Sequence, residues 1–188
     1  TCCGAGYRAW YQLMAHVFLG VGANLSPEQN IPLGLKRLAD DVNIVAVSPC
    51  YRSEAVGFSG PAFINLVVEA HTDCTVAELN TRLKAIETEF GRQPDAKKYS
   101  DRALDIDILV VDELSGDIDG ISLPRIDVWR YAFVLRPLLD LWPTGLCPKN
   151  KTPLKDYWSH VSDQPLEKVV VEGATLADVK STESTSSL

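Results

Sequence analysis

The sequence predicts an α+β fold in which helices pack on an antiparallel sheet. Four β-rich segments and two amphipathic helical segments follow one another in the order βαββαβ. Each segment keeps its own periodicity, near two for the strands and near 3.6 for the helices. The length of 188 residues suits one domain with its own core. This order is that of the ferredoxin-like sandwich, here followed by C-terminal additions.

The first strand and helix of the pattern lie near the N-terminus. Residues 16–21 form a short apolar run that predicts a buried strand ending in a turn. Ser26 and Pro27 offer an N-cap and a first-turn proline for the helix that follows. Because Pro32 and Gly34 weaken the helical pattern, we expect this helix to begin late.

The remaining core elements have clearer signals. Residues 43–51 and 63–70 alternate in polarity and predict two strands around a long loop. A capping box opens a helix at Thr75, and its apolar stripe ends at Gly91. Residues 105–111 supply the last strand of the core.

Outside this core the sequence is less regular. Shorter helical or extended pieces are expected at 126–142, 153–161 and 166–171. We expect a single domain over residues 14–172. Residues 1–13 lack periodicity and precede the only methionine, which suggests a leader or cloning-derived segment. Residues 173–188 are expected to be a disordered tail because their end is rich in Ser and Thr.

The composition argues against two classes of function. A formal net charge of -7 does not suit a nucleic-acid binder, which needs a basic surface. No apolar run approaches the length that spans a membrane. The five cysteines show neither a disulfide framework nor zinc-ligand spacing. We therefore expect a cytoplasmic monomer with no nucleic-acid or membrane partner.

Two carboxylates lie two residues apart in the last core strand. Side chains alternate along a strand, so Asp105 and Asp107 share one face. Burying two like charges is unfavourable unless a cation neutralises them. Oxygen ligands at this spacing suit Mg²⁺ held against phosphate. Taken alone, the pair fits equally well the solvated acidic face of an edge strand.

A group of cations precedes this strand. Within an otherwise acidic chain, the segment after Gly91 contains Arg92, Lys97, Lys98 and Arg102. A solvated charged loop is the simpler interpretation of such a segment. Next to paired aspartates, however, the cations favour phosphoryl transfer, which requires neutralisation of phosphate charge.

Several separated motifs occur in one order between residues 16 and 143. They are Gly20-x-Gly-x-Asn-Leu, Tyr51-Arg-Ser, Phe63-Ile-Asn65, Gly91-Arg92, Arg102-x-Leu-Asp-Ile-Asp-Ile, Leu123-Pro and Ala132-Phe-Val-Leu-x-Pro-Leu-Leu. In these motifs the chain resembles the 6-hydroxymethyl-7,8-dihydropterin pyrophosphokinases of folate biosynthesis. That family has the ferredoxin-like fold, which the periodicity predicts independently.

The resemblance implies a reaction between ATP and a reduced pterin. The terminal pyrophosphoryl unit of ATP would pass to the hydroxymethyl oxygen of the pterin, leaving AMP. Asp105 and Asp107 would hold two Mg²⁺ ions that bridge the triphosphate. Arg92 and Arg102 would contact the phosphates and neutralise developing charge.

The resemblance also implies ligand contacts. Asn65 would bind the edge of the pterin, and Phe63 and Phe133 would enclose its ring. Judged singly, each phenylalanine is more often a core residue. Ser53 and Val56 would add contacts to the pterin. The implied ATP contacts are Glu87, in a supporting role, Lys98, Tyr99, Ile108 and Arg125.

Four positions depart from the family pattern. Pro94 replaces a loop arginine, Tyr99 a tryptophan, Arg125 a histidine and Tyr131 an arginine. Pro94 could stiffen the loop, and Tyr131 gives up a positive charge on the pterin side. We expect the chemistry to survive because the carboxylates, Arg92 and Arg102 are retained.

Two alternatives stay open at this stage. One is a diverged relative that binds pterin or nucleotide without turnover, and the departures at Pro94 and Tyr131 are its only support. The other is an RNA-recognition module, which has the same element order and stacks bases on sheet aromatics. The acidic composition and the acidic last strand argue against it.

Overall fold

A computed structural model describes residues 14–93 and 100–181. The core elements are β1 (Ala15–Ala23), α1 (Pro27–Leu38), β2 (Asn43–Val47), β3 (Cys50–Ser53), β4 (Phe63–Thr72), α2 (Val76–Glu89) and β5 (Asp105–Val111). The C-terminal elements are β6 (Gly116–Ile118), β7 (Ile121–Leu123), α3 (Asp127–Arg130), α4 (Ala132–Leu141), a 3-10 helix (Leu154–His160), β8 (Glu167–Val169) and α5 (Leu176–Lys180).

The main sheet has the strand order β5-β1-β4-β3-β8, and β2 also pairs with β4. All its pairings are antiparallel, which confirms the predicted βαββαβ sandwich. The strand predicted at 43–51 is interrupted, so that β2 and β3 pair with β4 separately. At the break the Ser48 hydroxyl accepts a hydrogen bond from the Val67 amide at 2.9 Å. The Val67 amide of β4 therefore keeps a hydrogen-bond partner where the neighbouring strand is interrupted.

One face of the sheet packs on α1 and α2. Helix α1 begins at Pro27, so the prediction of a late start is wrong. Ser26 lies at its N-cap with φ 43° and makes no capping bond through its side chain. The helix forms in spite of Pro32 because its apolar face, including Ile31 and Leu35, is completely buried.

Helix α2 follows the sequence signals closely. Its capping box pairs Thr75 with Glu78, as predicted. Phe90 is the C-cap, and Gly91 follows in the left-handed region with φ 94°. This helix crosses behind β5, the strand that carries the aspartates.

The other face of the sheet is also covered, which the prediction of helices on one face did not include. Helix α4 and the 3-10 helix pack on it through a second cluster of buried residues, among them Phe18, Val67, Leu109, Leu135 and Leu138. These elements cover only part of the face. The remainder forms the floor of a cleft.

The prediction of disorder from residue 173 is wrong for residues 173–181. Helix α5 has a capping box between Thr175 and Asp178 and buries Val179 against the α1 side of the core. Packing of this short helix on α1 and β2 explains its order. Within residues 14–93 and 100–181, no helix has the length and apolar character required to cross a membrane.

Candidate active site

A cleft of about 710 Å³ opens on the face of the sheet opposite α1 and α2. Its walls come from β3, β4, β5 and the segment joining α3 to α4. This volume is in the range of small-molecule sites. The predicted site residues that line it are Ser53, Val56, Phe63, Asn65, Arg92, Arg102, Asp105, Asp107, Arg125 and Phe133.

The middle of the cleft floor is made by glycine. In the sheet register, Gly22 of β1 lies between Asn65 of β4 and Asp105 of β5. A Cβ at Gly22 would approach the Asn65 side-chain oxygen to 2.8 Å. Because Gly22 has no side chain, the cleft stays open between the Asn65 amide and the Asp105 carboxylate.

The two aspartates share one face of β5, as the spacing predicts. The Asp105 side chain is 34% exposed and accepts a hydrogen bond from Arg92 at 2.8 Å, with Arg102 Nε at 3.9 Å. The Asp107 side chain is 26% exposed and lies 3.2 Å from Arg125 Nη2 and 3.8 Å from Lys84 Nζ. Each carboxylate is thus flanked by two cations.

Asp107 is in an environment that disfavours its charge. Burial, followed by repulsion from Asp105, raises the pKa of Asp107 to about 6. Arg125 and Lys84 oppose this shift without cancelling it. A carboxylate that still lacks sufficient positive charge is suited to binding a cation.

Glu87 lies behind the site and does not line the cleft. Its side chain is completely buried. It accepts hydrogen bonds from the Ile106 amide at 2.8 Å, from Lys84 Nζ at 2.6 Å and from Arg92. Glu87 therefore joins α2 to β5 and holds two of the cations that face the aspartates.

Ile108 is also outside the cleft. Its side chain is 4% exposed and packs in the core beneath the sheet. Because Asp107 faces the cleft, alternation along β5 directs the next residue to the opposite face.

The opposite end of the cleft is aromatic and amide-lined. Asn65 is buried and donates a hydrogen bond to the Ser53 hydroxyl at 3.0 Å. Phe63 contacts Phe58 edge to face, with ring centroids 6.3 Å apart. Phe133 stacks on Tyr131 at 5.0 Å, with an interplanar angle of 15°. Aromatic rings and the Asn65 amide thus line this part of the cleft together.

The cleft is also lined by residues that were not predicted, and Lys84 and Phe58 are two of them. Lys84 lies one turn before Glu87 on α2, and this spacing could have indicated it. Phe58 lies in the loop before β4, where the sequence gives no side-chain direction. Lys98 and Tyr99, predicted to contact ATP, lie outside the described residues, as do Pro94 and Lys97.

A family model described as 7,8-dihydro-6-hydroxymethylpterin-pyrophosphokinase (HPPK) matches residues 18–143. Two relatives are named 2-amino-4-hydroxy-6-hydroxymethyldihydropteridine pyrophosphokinase. The one from Pseudomonas aeruginosa is 36% identical, over 74% of this chain and 88% of its own. The one from Aquifex aeolicus is 31% identical, over 77% of this chain and 91% of its own.

Longer relatives match as well. The folate synthesis bifunctional protein of Arabidopsis thaliana is 31% identical over 78% of this chain and 30% of its own length. A crystal structure of Plasmodium falciparum HPPK-DHPS superposes with a TM-score of 0.61 at 12% identity, over 78% of this chain and 44% of that one. The structural similarity supports the fold, and the sequence matches show the family to which the chain belongs. The chain belongs to the 7,8-dihydro-6-hydroxymethylpterin-pyrophosphokinase family.

Proposed function

We propose that the cleft is the active site for transfer of the pyrophosphoryl group of ATP to the hydroxymethyl group of 6-hydroxymethyl-7,8-dihydropterin. The observation that carries the proposal is the position of Asp105 and Asp107, flanked by four cations, at one end of a cleft whose other end is an aromatic slot with Asn65. One end suits a metal-bound triphosphate, and the other suits a flat heterocycle with donors and acceptors on its edge.

The two carboxylates fit two Mg²⁺ ions bound together with ATP. They supply only oxygen ligands, and Mg²⁺ is usually held by one or two carboxylates plus phosphate oxygens and water. Among the described residues, no group of three or more His, Cys, Asp or Glu side chains could hold a metal ion. Phosphate would therefore complete the coordination. When bound, the ions neutralise charge on the triphosphate and orient it for in-line transfer.

The residues around the aspartates neutralise and position the phosphates. Arg92 and Lys84 are held by Glu87, so their charges are directed to the cleft without free rotation. Arg102 and Arg125 flank the two carboxylates from other directions. Fixed cations stabilise charge that spreads over the transferring group without reorganising during the reaction.

The pterin end orients the acceptor. Asn65 uses one amide N–H on Ser53, so its second N–H and its oxygen can pair with the pterin edge. Phe63 and Phe133 both line the slot in which the ring would lie. A ring held at this end would direct its hydroxymethyl group toward the phosphate end, which is the positioning that the transfer requires.

We also infer one domain acting as a cytoplasmic monomer. The core beneath the sheet contains both Val17 of β1 and Val179 of α5, which supports one cooperative unit. Cys50, Cys74 and Cys147 are free thiols, which supports a reducing compartment. Light scattering would measure the oligomeric state, and fractionation of cells that express the chain would show the compartment in which it is found.

The experiment that tests the function is incubation of the full chain with ATP, Mg²⁺ and the hydroxymethyl pterin. We expect AMP and pterin diphosphate in equal amounts. Asp105→Asn or Asp107→Asn should each lower the rate at least about a hundredfold, since each removes a metal ligand. Asp163→Asn, the same change at an exposed position, should leave the rate unchanged. Binding of both ligands without AMP would instead indicate the diverged binder.

A further inference from the structure

Tyr131 and Phe133 stack on one wall of the cleft, and this contact depends on the break between α3 and α4. The two ring centroids are 5.0 Å apart, and both residues line the cleft. Residues two positions apart in a continuous helix point in different directions. Tyr131 can stack on Phe133 because it is the extended residue between the two helices, with φ -129° and ψ 128°. The wall therefore requires this junction to keep its shape.

The side chain of Gln164 bridges the junction. Its Oε1 accepts a hydrogen bond from the Ala132 amide at 2.9 Å, and its Nε2 donates to the Arg130 carbonyl at 2.9 Å. These two groups belong to the first turn of α4 and the last turn of α3, where backbone groups lack a partner within their own helix. Tyr131 makes no capping bond through its side chain. Gln164 thus caps both helices and holds the backbone on either side of Tyr131.

Gln164 lies outside the cleft lining and is fixed by its own segment. Its amide donates to the Val161 carbonyl at 3.1 Å. Val161 is 2% exposed and belongs to the same buried cluster as α4, and Leu166 packs against that cluster from the other side of Gln164 in the sequence. The turn that carries Gln164 is therefore anchored independently of its two hydrogen bonds to the junction.

We propose that Gln164 is a positioning residue that holds Tyr131 against Phe133, so that Tyr131 supports the ring that faces the pterin. The identity of this ligand rests on the proposed function. Ala132 is 1% exposed, so its amide cannot exchange Gln164 for water unless the junction moves. A wall that is already in place spares the pterin the entropy cost of ordering Tyr131 when it binds. Gln164 acts on pterin affinity through Tyr131 and not by contact with the ligand.

The test measures the dissociation constant of 6-hydroxymethyl-7,8-dihydropterin by calorimetry, with a non-hydrolysable ATP analogue and Mg²⁺ present throughout. We expect Gln164→Ala to weaken pterin binding about fivefold, comparable to the loss of one aromatic contact. The dissociation constant of the analogue, measured with Mg²⁺ alone, should be unchanged. Gln164→Glu retains the oxygen that accepts from Ala132 and should weaken pterin binding less than Gln164→Ala does.

Thr175→Ala is the matched control, because it also removes a side chain that caps a helix. It uncaps α5, on the side of the sheet away from the cleft, and should leave pterin affinity unchanged. If Gln164→Ala does not fold, Gln164→Met replaces it, since methionine keeps the length of the side chain without its amide group.

A double variant separates positioning of Tyr131 from a general effect on the fold. If Gln164 acts through the Tyr131 ring, Tyr131→Ala weakens pterin binding, and adding Gln164→Ala has little further effect. Independent effects that multiply in the double variant would overturn the proposal, as would unchanged pterin affinity in the folded Gln164 variants. An unmodified chain that binds no pterin would contradict the proposed function, and the role of Gln164 with it.

Discussion

At the scale of single residues, Asp107 is a source of instability in the metal-free protein. A carboxyl group whose pKa is raised in the folded state stabilises the fold below its ordinary pKa, and this contribution is lost as the pH rises through the folded value. For Asp107 the window runs from 3.8 to about 6. Above pH 6, Asp107 of the folded chain carries a negative charge that its surroundings disfavour.

We therefore expect Asp107→Asn to stabilise the metal-free protein although it slows the transfer. At pH 8 in EDTA, the free energy of unfolding should rise by about 1 to 2 kcal/mol, which discounts the pKa shift for partial exposure. The difference should shrink as the pH falls through 6 and disappear below 4. Urea denaturation at each pH measures it. A variant less stable than the unmodified chain at pH 8 would contradict this account.

If Asp107 is a metal ligand, as we propose, Arg125 would compete with the metal ion for it. Its guanidinium lies 3.2 Å from Asp107 and 2.5 Å from Asp127, so it bridges the two carboxylates. We expect Arg125→Ala to tighten Mn²⁺ binding in the absence of nucleotide about fivefold, the equivalent of about 1 kcal/mol for a partly exposed ion pair. Electron paramagnetic resonance of free Mn²⁺ measures this change. Arg130→Ala removes an exposed cation from the same cleft and should have little effect.

The sequence predicts single residues well where a strand alternates. The shared face of Asp105 and Asp107 follows from a period of two, and the same period directs Ile108 into the core. The i,i+3 spacing could indicate that Lys84 pairs with Glu87, but the burial of Glu87 and the 3.8 Å distance from Lys84 to Asp107 could not be predicted. Both depend on how closely α2 crosses β5, which local periodicity does not specify.

At the scale of elements, one buried carboxylate, that of Glu87, links α2 to β5 in addition to their apolar packing. Removing Glu87 would leave Lys84, Arg92 and the Ile106 amide without their shared partner. We expect Glu87→Ala to lower the free energy of unfolding by about 3 to 4 kcal/mol, as for other broken buried ion pairs. Glu87→Gln should cost less, because its amide oxygen can still accept from Ile106.

The matched control on the same helix is Glu89→Ala. Glu89 pairs with Arg37 at the surface, so its loss should change the free energy of unfolding much less than the loss of Glu87. Urea denaturation of the three variants provides the comparison. Similar losses for Glu87→Ala and Glu89→Ala would show that the buried carboxylate does not hold α2 on β5.

Elements with strong local signals were predicted, and those decided by tertiary contacts were not. Helix α2 has its capping box and its terminal glycine in the sequence. The division of 43–51 into β2 and β3 depends on Ser48 and its bond to β4. Likewise, α1 begins at Pro27 because burial of its apolar face outweighs the unfavourable residues within it.

At the scale of the whole molecule, α1 and α2 cover one face of the sheet, and α4 with the 3-10 helix covers part of the other, where the cleft opens. A module that stacks RNA on this face would need it open along the strands, but α4 covers part of it and two carboxylates occupy the edge. The sequence indicated additional C-terminal elements without indicating the face that they cover. That choice depends on contacts between residues far apart in the chain.

Helix α5 should contribute to stability without contributing to the reaction. It packs on α1 and β2, on the side of the sheet away from the cleft, and buries Ala174 and Val179. We expect removal of residues 173–188 to lower the free energy of unfolding by about 2 kcal/mol, from the apolar area exposed. The Michaelis constants of both substrates should be unchanged below the unfolding temperature. A raised Michaelis constant with intact stability would contradict this assignment.

Gly22, in the floor of the cleft, restricts how the chain could evolve resistance to a competitive inhibitor. A common route to resistance is a bulkier residue that excludes the inhibitor from the pocket. At Gly22 any side chain would collide with the Asn65 oxygen before it reached a ligand, so the change would damage recognition of the natural substrate as well. Val56 and Phe58, in the loop between β3 and β4, also line the cleft, and we expect resistance to arise there more readily than at Gly22.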